Sequence, residues 1–215
     1  MSALKLYEYW RSSAAYRLRI ALNLKGVAFE SAAVNIAPGG DEQFGEAYKA
    51  VNPQMRVPSI EADGKVASQS MAILEWIEET WPEPALLPSD PWARLQVRAF
   101  ADVIACDIHP LNNLSVLGKL REDFGADKDA IGSWYRDWII RGFTALEAQA
   151  SKASRAGFLF GDQPGLAEIC LVPQMYNARR FETPLEAFPR LVEIDAKCAE
   201  IYAFQRAAPE AVKPA

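Results

Sequence analysis

The sequence predicts an α/β amino-terminal domain, a proline-rich linker and an all-helical carboxy-terminal domain. Three observations predict it. A strand pattern, a helix pattern and a second strand pattern follow one another at the start of the chain. Residues 81–91, "WPEPALLPSDP", carry four prolines and no periodicity. Every apolar pattern after them has helical spacing.

The elements follow in order. Residues 4–10, "LKLYEYW", alternate and are rich in Tyr and Trp, which predicts a strand. Leu18, Ala21, Leu22 and Leu24 predict a helix over 13–25, with Gly26 as its stop. "AFESAAVNI" (28–36) reads as a second strand, and strand–helix–strand implies a parallel βαβ unit. "PGGDEQF" (38–44) is a loop, followed by a short helix over 44–50. Residues 57–70 hold two short strands around Asp63-Gly64, the dipeptide of a tight hairpin. Ser70 opens a helix through Ile73, Leu74 and Ile77. The expected domains are therefore 1–82 and 92–215, with 83–91 between them. In the second, 92–120 is a long helix interrupted at Pro110, 129–150 is amphipathic, 165–181 is a buried helix and 189–201 is another. Gly165 and Glu168 read as cap and third helical residue of the buried helix, a structural pair. The closing "AAPEAVKPA" reads as a frayed tail.

Composition bounds the function. The chain has 215 residues, 50% hydrophobic and 24% charged, with net charge −5, which describes a globular protein and argues against nucleic acid as a partner. Cys106, Cys170 and Cys198 are far apart and form no C-x-x-C pair, so buried, inert thiols in a reducing compartment are expected. His109 is the only histidine, which argues against a histidine-rich metal site; no metal is expected. "MSALKLYEYW" lacks an apolar signal core and no stretch has the length of a membrane span, so a cytoplasmic protein with no membrane partner is expected.

Several positions invite chemistry. Ser12 and Ser13 lie between a strand and a helix, and either suffices as N-cap. The helix start also favours an anion, and a thiolate is one. A free thiol titrates at about 8.5, and a helix N-terminus lowers that. Val57-Pro58 precedes a strand; read as trans it is a plain turn, and read as cis it turns the Val57 N–H and C=O toward an extended peptide ligand. Gln69-Ser70 starts another helix, as a simple cap or as a carboxylate site. Asp107, His109, Asn112 and Asn113 surround the interruption at Pro110. Arg179 and Arg180 end the buried helix; surface solvation explains such a pair, and with Arg11 they could instead hold a dicarboxylate.

The segments "YWRSSAAYRLRIALNLKG", "NPQMRVPSI", "QSMAILEWIEE", "CDIHPLNNLSVL", "FGDQPGLAEICLVPQMYNARRF" and "FQRAAPEA" together resemble the zeta-class glutathione transferases, over essentially the whole chain. The likeness is to their maleylacetoacetate and maleylpyruvate isomerase branches. It implies a thioredoxin-like amino-terminal domain, an all-α carboxy-terminal domain and a homodimer. It implies glutathione as cofactor, bound by Ser12, Ser13, Gln43, Val57, Gln69 and Ser70, with Asp107, His109 and Asn113 nearby. Ser12 is the implied thiol-activating residue, with Ser13 and Arg11 also catalytic. Arg11, Ser115 and Arg180 are implied contacts of a small dicarboxylic keto acid. The implied activity is glutathione-dependent cis–trans isomerisation in aromatic amino-acid catabolism. A conjugating or dehalogenating transferase of α-halo acids, or a non-catalytic glutathione binder, are the competing expectations. The chain departs from the pattern at Ala14, where most isomerases of the class have cysteine. Leu114-Ser115 matches the maleylacetoacetate branch, since the maleylpyruvate branch has two arginines there.

Overall fold

The structure is a computed structural model and describes residues 4–152 and 157–214. It divides into two compact units, Met1–Leu86 with Glu200–Ala215, and Leu87–Ala199.

The first unit is built on a four-stranded sheet of β1 (Leu4–Glu8), β2 (Phe29–Ala33), β3 (Ser59–Ala62) and β4 (Lys65–Ser68), in the order β2-β1-β3-β4. β1 and β2 run parallel, with Leu4 opposite Phe29, and helix α1 (Ser13–Leu24) connects them as the pattern implies. β3 is antiparallel to β1 and to β4. Asp63 and Gly64 both have positive φ (49° and 73°), the requirement of a two-residue hairpin turn whose twist matches its strands. Between the sheet strands lie a short 3₁₀ turn (Glu42–Phe44), α2 (Glu46–Val51) and, after β4, α3 (Ser70–Thr80).

Every residue of α1 from Ser13 to Leu22 is buried. Its small residues, Ala14, Ala15 and Ala21, allow close approach, and Leu18, Ile20 and Leu22 fill the core. Two arginines, Arg17 and Arg19, are buried with them, at 2% and 1% exposure. Buried charges need acceptors, and the end of the chain supplies some. Arg19 Nε donates to the Ala207 carbonyl at 2.8 Å, and Asn23 Nδ2 donates to the Ala203 carbonyl at 3.1 Å. These carbonyls belong to α9 (Tyr202–Ala207), which is followed by α10 (Pro209–Val212). The expected frayed tail is thus an ordered part of the first unit, with Ala207 and Pro209 buried. This is why 200–215 group with the first unit, where the composition shift had placed 92–215 together.

The proline-rich stretch is also anchored at its start. Lys25 Nζ pairs with Glu78 at 2.6 Å and donates to the Pro84 carbonyl at 2.7 Å, while the Glu78 carboxylate accepts the Leu86 N–H. Leu86 and Leu87 are buried.

The second unit holds α4 (Pro91–Asp102), a π-helical segment (Val103–Ile108), α5 (Leu114–Phe124), α6 (Lys128–Ala150), α7 (Leu166–Arg180) and α8 (Pro189–Ala199). Twelve of the 15 residues of α7 are buried, which makes it the central helix of this unit. Glu168 accepts the Leu159 N–H at 2.7 Å and the Gly165 N–H at 2.8 Å, so its work is capping, as expected. Burial raises its carboxyl pKa, and the Gly165 and Leu159 bonds oppose the rise. Pro110 has no N–H for the Cys106 carbonyl and its ring crowds that carbonyl; the backbone widens into the π turn just before it. Cys170 and Cys198 are buried as expected, but Cys106, on this π segment, is exposed. Burial pushes the Cys198 thiol far up. Among the described residues no helix is long and apolar enough to cross a membrane.

The Lys25–Glu78 pair yields a stability test. Removing one partner of a buried pair leaves the other charge without its counter-ion, at a cost of about 3–5 kcal/mol. Lys25→Met is expected to lose that much in chemical denaturation, and the double variant Lys25→Met/Glu78→Leu to recover a large part of it. Equal loss in both variants would show that the pair itself, and not the stranded carboxylate, sets the stability.

Candidate active site

Of the two serines, Ser12 is the cap of α1. It sits outside the helix at φ −68° and ψ 119°, its N–H donates to the Tyr9 carbonyl at 2.9 Å, and its Oγ accepts the Ala15 N–H at 3.3 Å. Capping uses one lone pair of the hydroxyl and leaves the O–H as a donor. The two readings of this serine are therefore compatible: one hydroxyl both caps the helix and can donate to an anion in front of it. Ser13 and Ala14 are the first two helical residues, where the N–H groups lie beyond the helix's own ladder and carry its positive end. Arg11 precedes the cap, with its guanidinium carbon 5.1 Å from the centre of the Trp10 ring.

A second helix start is held beside a shaped loop. Gln69 adopts φ 75° and ψ 103°, a conformation that a residue with a side chain rarely takes, immediately before α3. Ser70, the first residue of α3, is buried, and its Oγ accepts from Arg17 Nη1 at 3.3 Å. Gln69 Nε2 donates to Gln54 Oε1 at 2.8 Å. In the same loop Tyr48 Oη and Asn52 Nδ2 each donate to the Arg56 carbonyl at 2.7 Å. The Arg56–Val57 peptide is trans, so its N–H points opposite to that carbonyl. Two inward donors thus aim the Val57 N–H away from Tyr48 and Asn52. The next bond, Val57–Pro58, is cis. Gln43 is buried, and among the described residues its Oε1 has no hydrogen-bond partner.

The second unit holds the remaining expected positions. Asp107 is exposed on the π segment, and the His109 N–H closes that segment on the Ile104 carbonyl at 2.9 Å. Asn113 caps α5 and its Oδ1 accepts both the N–H and the Oγ–H of Ser115, at 3.1 Å each. The turn between is fastened to α6: Asn112 Nδ2 donates to the Tyr135 carbonyl at 3.2 Å, and Trp134 Nε1 to the Leu111 carbonyl at 2.9 Å. At the end of α7 the arginine pair divides. Arg179 is committed to Asp195 at 2.6 Å, whereas Arg180 lies 5.1 Å from the Phe181 ring. Phe181 stacks on Tyr135 with centroids 3.5 Å apart.

Sequence reasoning missed Arg17, Tyr48, Asn52 and Gln54, which brace the positions it named. One signal was available for Arg17. Arg17 and Arg19 stand two apart in a helix, about 200° around the axis, so an apolar helix packed on several sides must bury at least one of them.

Residues 2–79 match the glutathione S-transferase N-terminal domain family. A maleylpyruvate isomerase from a Ralstonia species is 50% identical over 97% of this chain and 98% of its own length. A solved holo structure of a maleylpyruvate isomerase, described as a bacterial zeta-class glutathione S-transferase, superposes with a TM-score of 0.95 at 48% identity, covering 98% of this chain and 99% of that one. The chain belongs to the zeta-class glutathione transferases. Another member, maleylacetoacetate isomerase from Anaeromyxobacter dehalogenans, solved with glutathione in its active site, is 45% identical with a TM-score of 0.87, over 99% of this chain and 98% of that one. The thioredoxin-like first domain and helical second part expected of the class are both present in this transferase.

Tyr135, beneath Phe181, provides a pH test. Burial pushes its phenol from 10.0 up to about 12, against the lowering pull of Arg180. The folded state therefore favours the neutral phenol. The resulting stability is fully present below pH 10 and is lost as the pH rises through about 12, an effect of about 3 kcal/mol for two units. The stability difference between the native chain and Tyr135→Phe should thus drift in favour of the variant between pH 10 and 12. A pH-independent difference over that range would show that the phenol does not titrate differently on folding.

Proposed function

We propose that this chain is a glutathione-dependent cis–trans isomerase of maleyl keto acids, converting maleylacetoacetate to fumarylacetoacetate. The observation that carries the proposal is the full-length likeness to isomerases of the class together with a serine cap whose O–H stays available as a donor. The residues fit glutathione. Its thiolate suits the start of α1, one of its carboxylates suits the start of α3 with Ser70, and its peptide groups suit the outward Val57 N–H and Gln43 Oε1, which has no partner among the described residues. Asp107, His109 and Asn113 complete the proposed glutathione contacts.

Glutathione, when bound, supplies a thiolate that adds reversibly to the conjugated double bond of the substrate and so permits rotation. The chain's own part is to favour that ionised form and to orient the acid. The Ser12 O–H and the positive end of α1 favour the thiolate. Ser13 lines the same helix start. Arg11 and Arg180 hold the two carboxylates of the substrate, with Ser115 as a further contact. Ala14 leaves this turn without a thiol of its own, so the reacting sulfur belongs to glutathione.

Leu114-Ser115 favours maleylacetoacetate as substrate. The 50% identical Ralstonia relative favours maleylpyruvate as the second reading. We further propose a cytoplasmic homodimer; Phe44 (59% exposed), Trp92 (68%) and Leu95 (51%) are large apolar side chains that association would cover.

An ultraviolet assay following loss of each cis keto acid, with and without glutathione, tests the function: glutathione-dependent loss with unchanged product mass is expected. A stable thioether or released halide from α-halo acids, without isomerisation, would overturn it. Ser12→Gly separates the two uses of the serine. Glycine costs an N-cap only a few tenths of a kcal/mol, whereas kcat at saturating glutathione is expected to fall about 100-fold or more, in line with loss of a key donor. Full kcat in Ser12→Gly would remove Ser12 from the mechanism.

A further inference from the structure

Arg19 is held on several sides within the first unit. It is 1% exposed and its planar guanidinium reaches three separate elements. Nη1 pairs with Glu8 at the end of β1. Nη2 donates to the Trp10 carbonyl at 2.9 Å, in the turn before α1. Nε donates to the Ala207 carbonyl at 2.8 Å, on α9. Glu8 is itself held by the Ser31 hydroxyl at 2.8 Å, from β2. The tail also approaches the turn directly, since Lys213 Nζ lies 5.5 Å from the centre of the Trp10 ring that Arg11 also approaches.

The Trp10 carbonyl belongs to the Trp10–Arg11 peptide. Pinning that oxygen fixes the peptide plane, and with it the direction in which the chain enters Arg11 and Ser12. A buried ion pair is weak evidence of stabilisation, because apolar residues of similar volume often serve as well. What apolar residues cannot do is hold one backbone oxygen of the turn and one of the tail in the same rigid fork.

We propose that Arg19 is a positioning residue for thiol activation: it fixes the Trp10–Arg11 peptide, and so the aim of the Ser12 O–H, and makes that placement depend on the C-terminal segment Tyr202–Lys213. The proposal rests on the reading of Ser12 as the residue that addresses the glutathione thiol. It goes beyond that reading in naming what holds the serine in place.

The test compares Arg19→Lys and Glu8→Gln with a control, Asn23→Ala. The control removes another tie between α1 and α9, the bond to the Ala203 carbonyl, and leaves the turn alone. Three quantities are read on the full chain: hydrogen exchange of the 10–15 backbone without ligand, the titration of bound glutathione thiol by its ultraviolet absorbance, and kcat and KM separately. In Arg19→Lys the exchange is expected to quicken at least tenfold. The bound thiol should titrate about one pH unit higher, with kcat lower by about threefold to tenfold near neutrality, because the thiolate fraction follows the titration. KM for glutathione should stay within about threefold, since the α3 start and the Val57 loop are untouched. Glu8→Gln should shift all three in the same direction by less, and Asn23→Ala should leave the thiol titration unchanged.

A folded Arg19→Lys with native exchange and thiol titration would overturn the proposal. So would an Asn23→Ala variant that shifts the titration as far, since general loosening would then explain both. If Arg19→Lys does not fold, Glu8→Gln decides by the same measures. A native chain that binds glutathione and ionises its thiol but isomerises neither keto acid would overturn the isomerase reading alone, and the titration would still decide Arg19. A native chain that leaves the bound thiol at its free titration would overturn the Ser12 reading and this proposal together.

Discussion

The first unit depends on the burial of α1. A helix enclosed from Ser13 to Leu22 has no solvated face on which to place its two arginines, and each must find acceptors inside. Arg17 reaches the start of α3 and Arg19 reaches the end of β1, the preceding turn and the C-terminal segment. The same burial leaves the two ends of α1 as its less enclosed parts, with Ser12 at the amino end half-buried. The amino end carries the partial positive charge of the helix and the hydroxyl of Ser12. Core packing and the chemistry of the site are therefore consequences of one arrangement.

The site in this unit follows a common physical scheme. Each proposed glutathione contact in this unit is a backbone group or a short side chain made rigid from behind. The N-terminus of α1 is held by the Ser12 cap, and the Arg56–Val57 peptide is held by Tyr48 and Asn52. Gln69 is kept in an uncommon conformation beside Gln54, and Ser70 rests on Arg17. Backbone N–H groups and small hydroxyls can approach a ligand closely and lose little entropy on binding. The second unit uses similar means in the 109–113 turn, where Asn112 and Trp134 fasten the backbone and Asn113 orders Ser115.

Much of this was legible in the sequence because its causes are local. Alternation, helical spacing, the Asp63-Gly64 turn and the run of prolines are properties of short segments, and they located nearly every element. The site expectations have a different origin: Ser-Ser at a strand–helix junction, Gln-Ser at another and the arginine pair at a helix end are patterns with an electrostatic reading beside a bland one, and the resemblance to the family supplies Gln43, Ser115 and the proposed roles. Arg17, Tyr48, Asn52 and Gln54 were not legible, because each acts on a residue that only folding brings near. Cys106 was expected to be buried with its fellows and is exposed, because it lies off the buried stripe of Phe100, Ala101, Ile104 and Ile108.

By itself the sequence determined the element order, the α/β-then-α division, the family and the absence of a cysteine at position 14. Tertiary structure decided which serine caps α1, that Val57–Pro58 is cis, that Arg179 pairs with Asp195, and that the last residues belong with the first helix. The physical reason is range. Propensity, periodicity and capping act over a few residues, whereas a buried guanidinium on α1 finds its acceptor 188 residues away, at Ala207, only once the chain has folded.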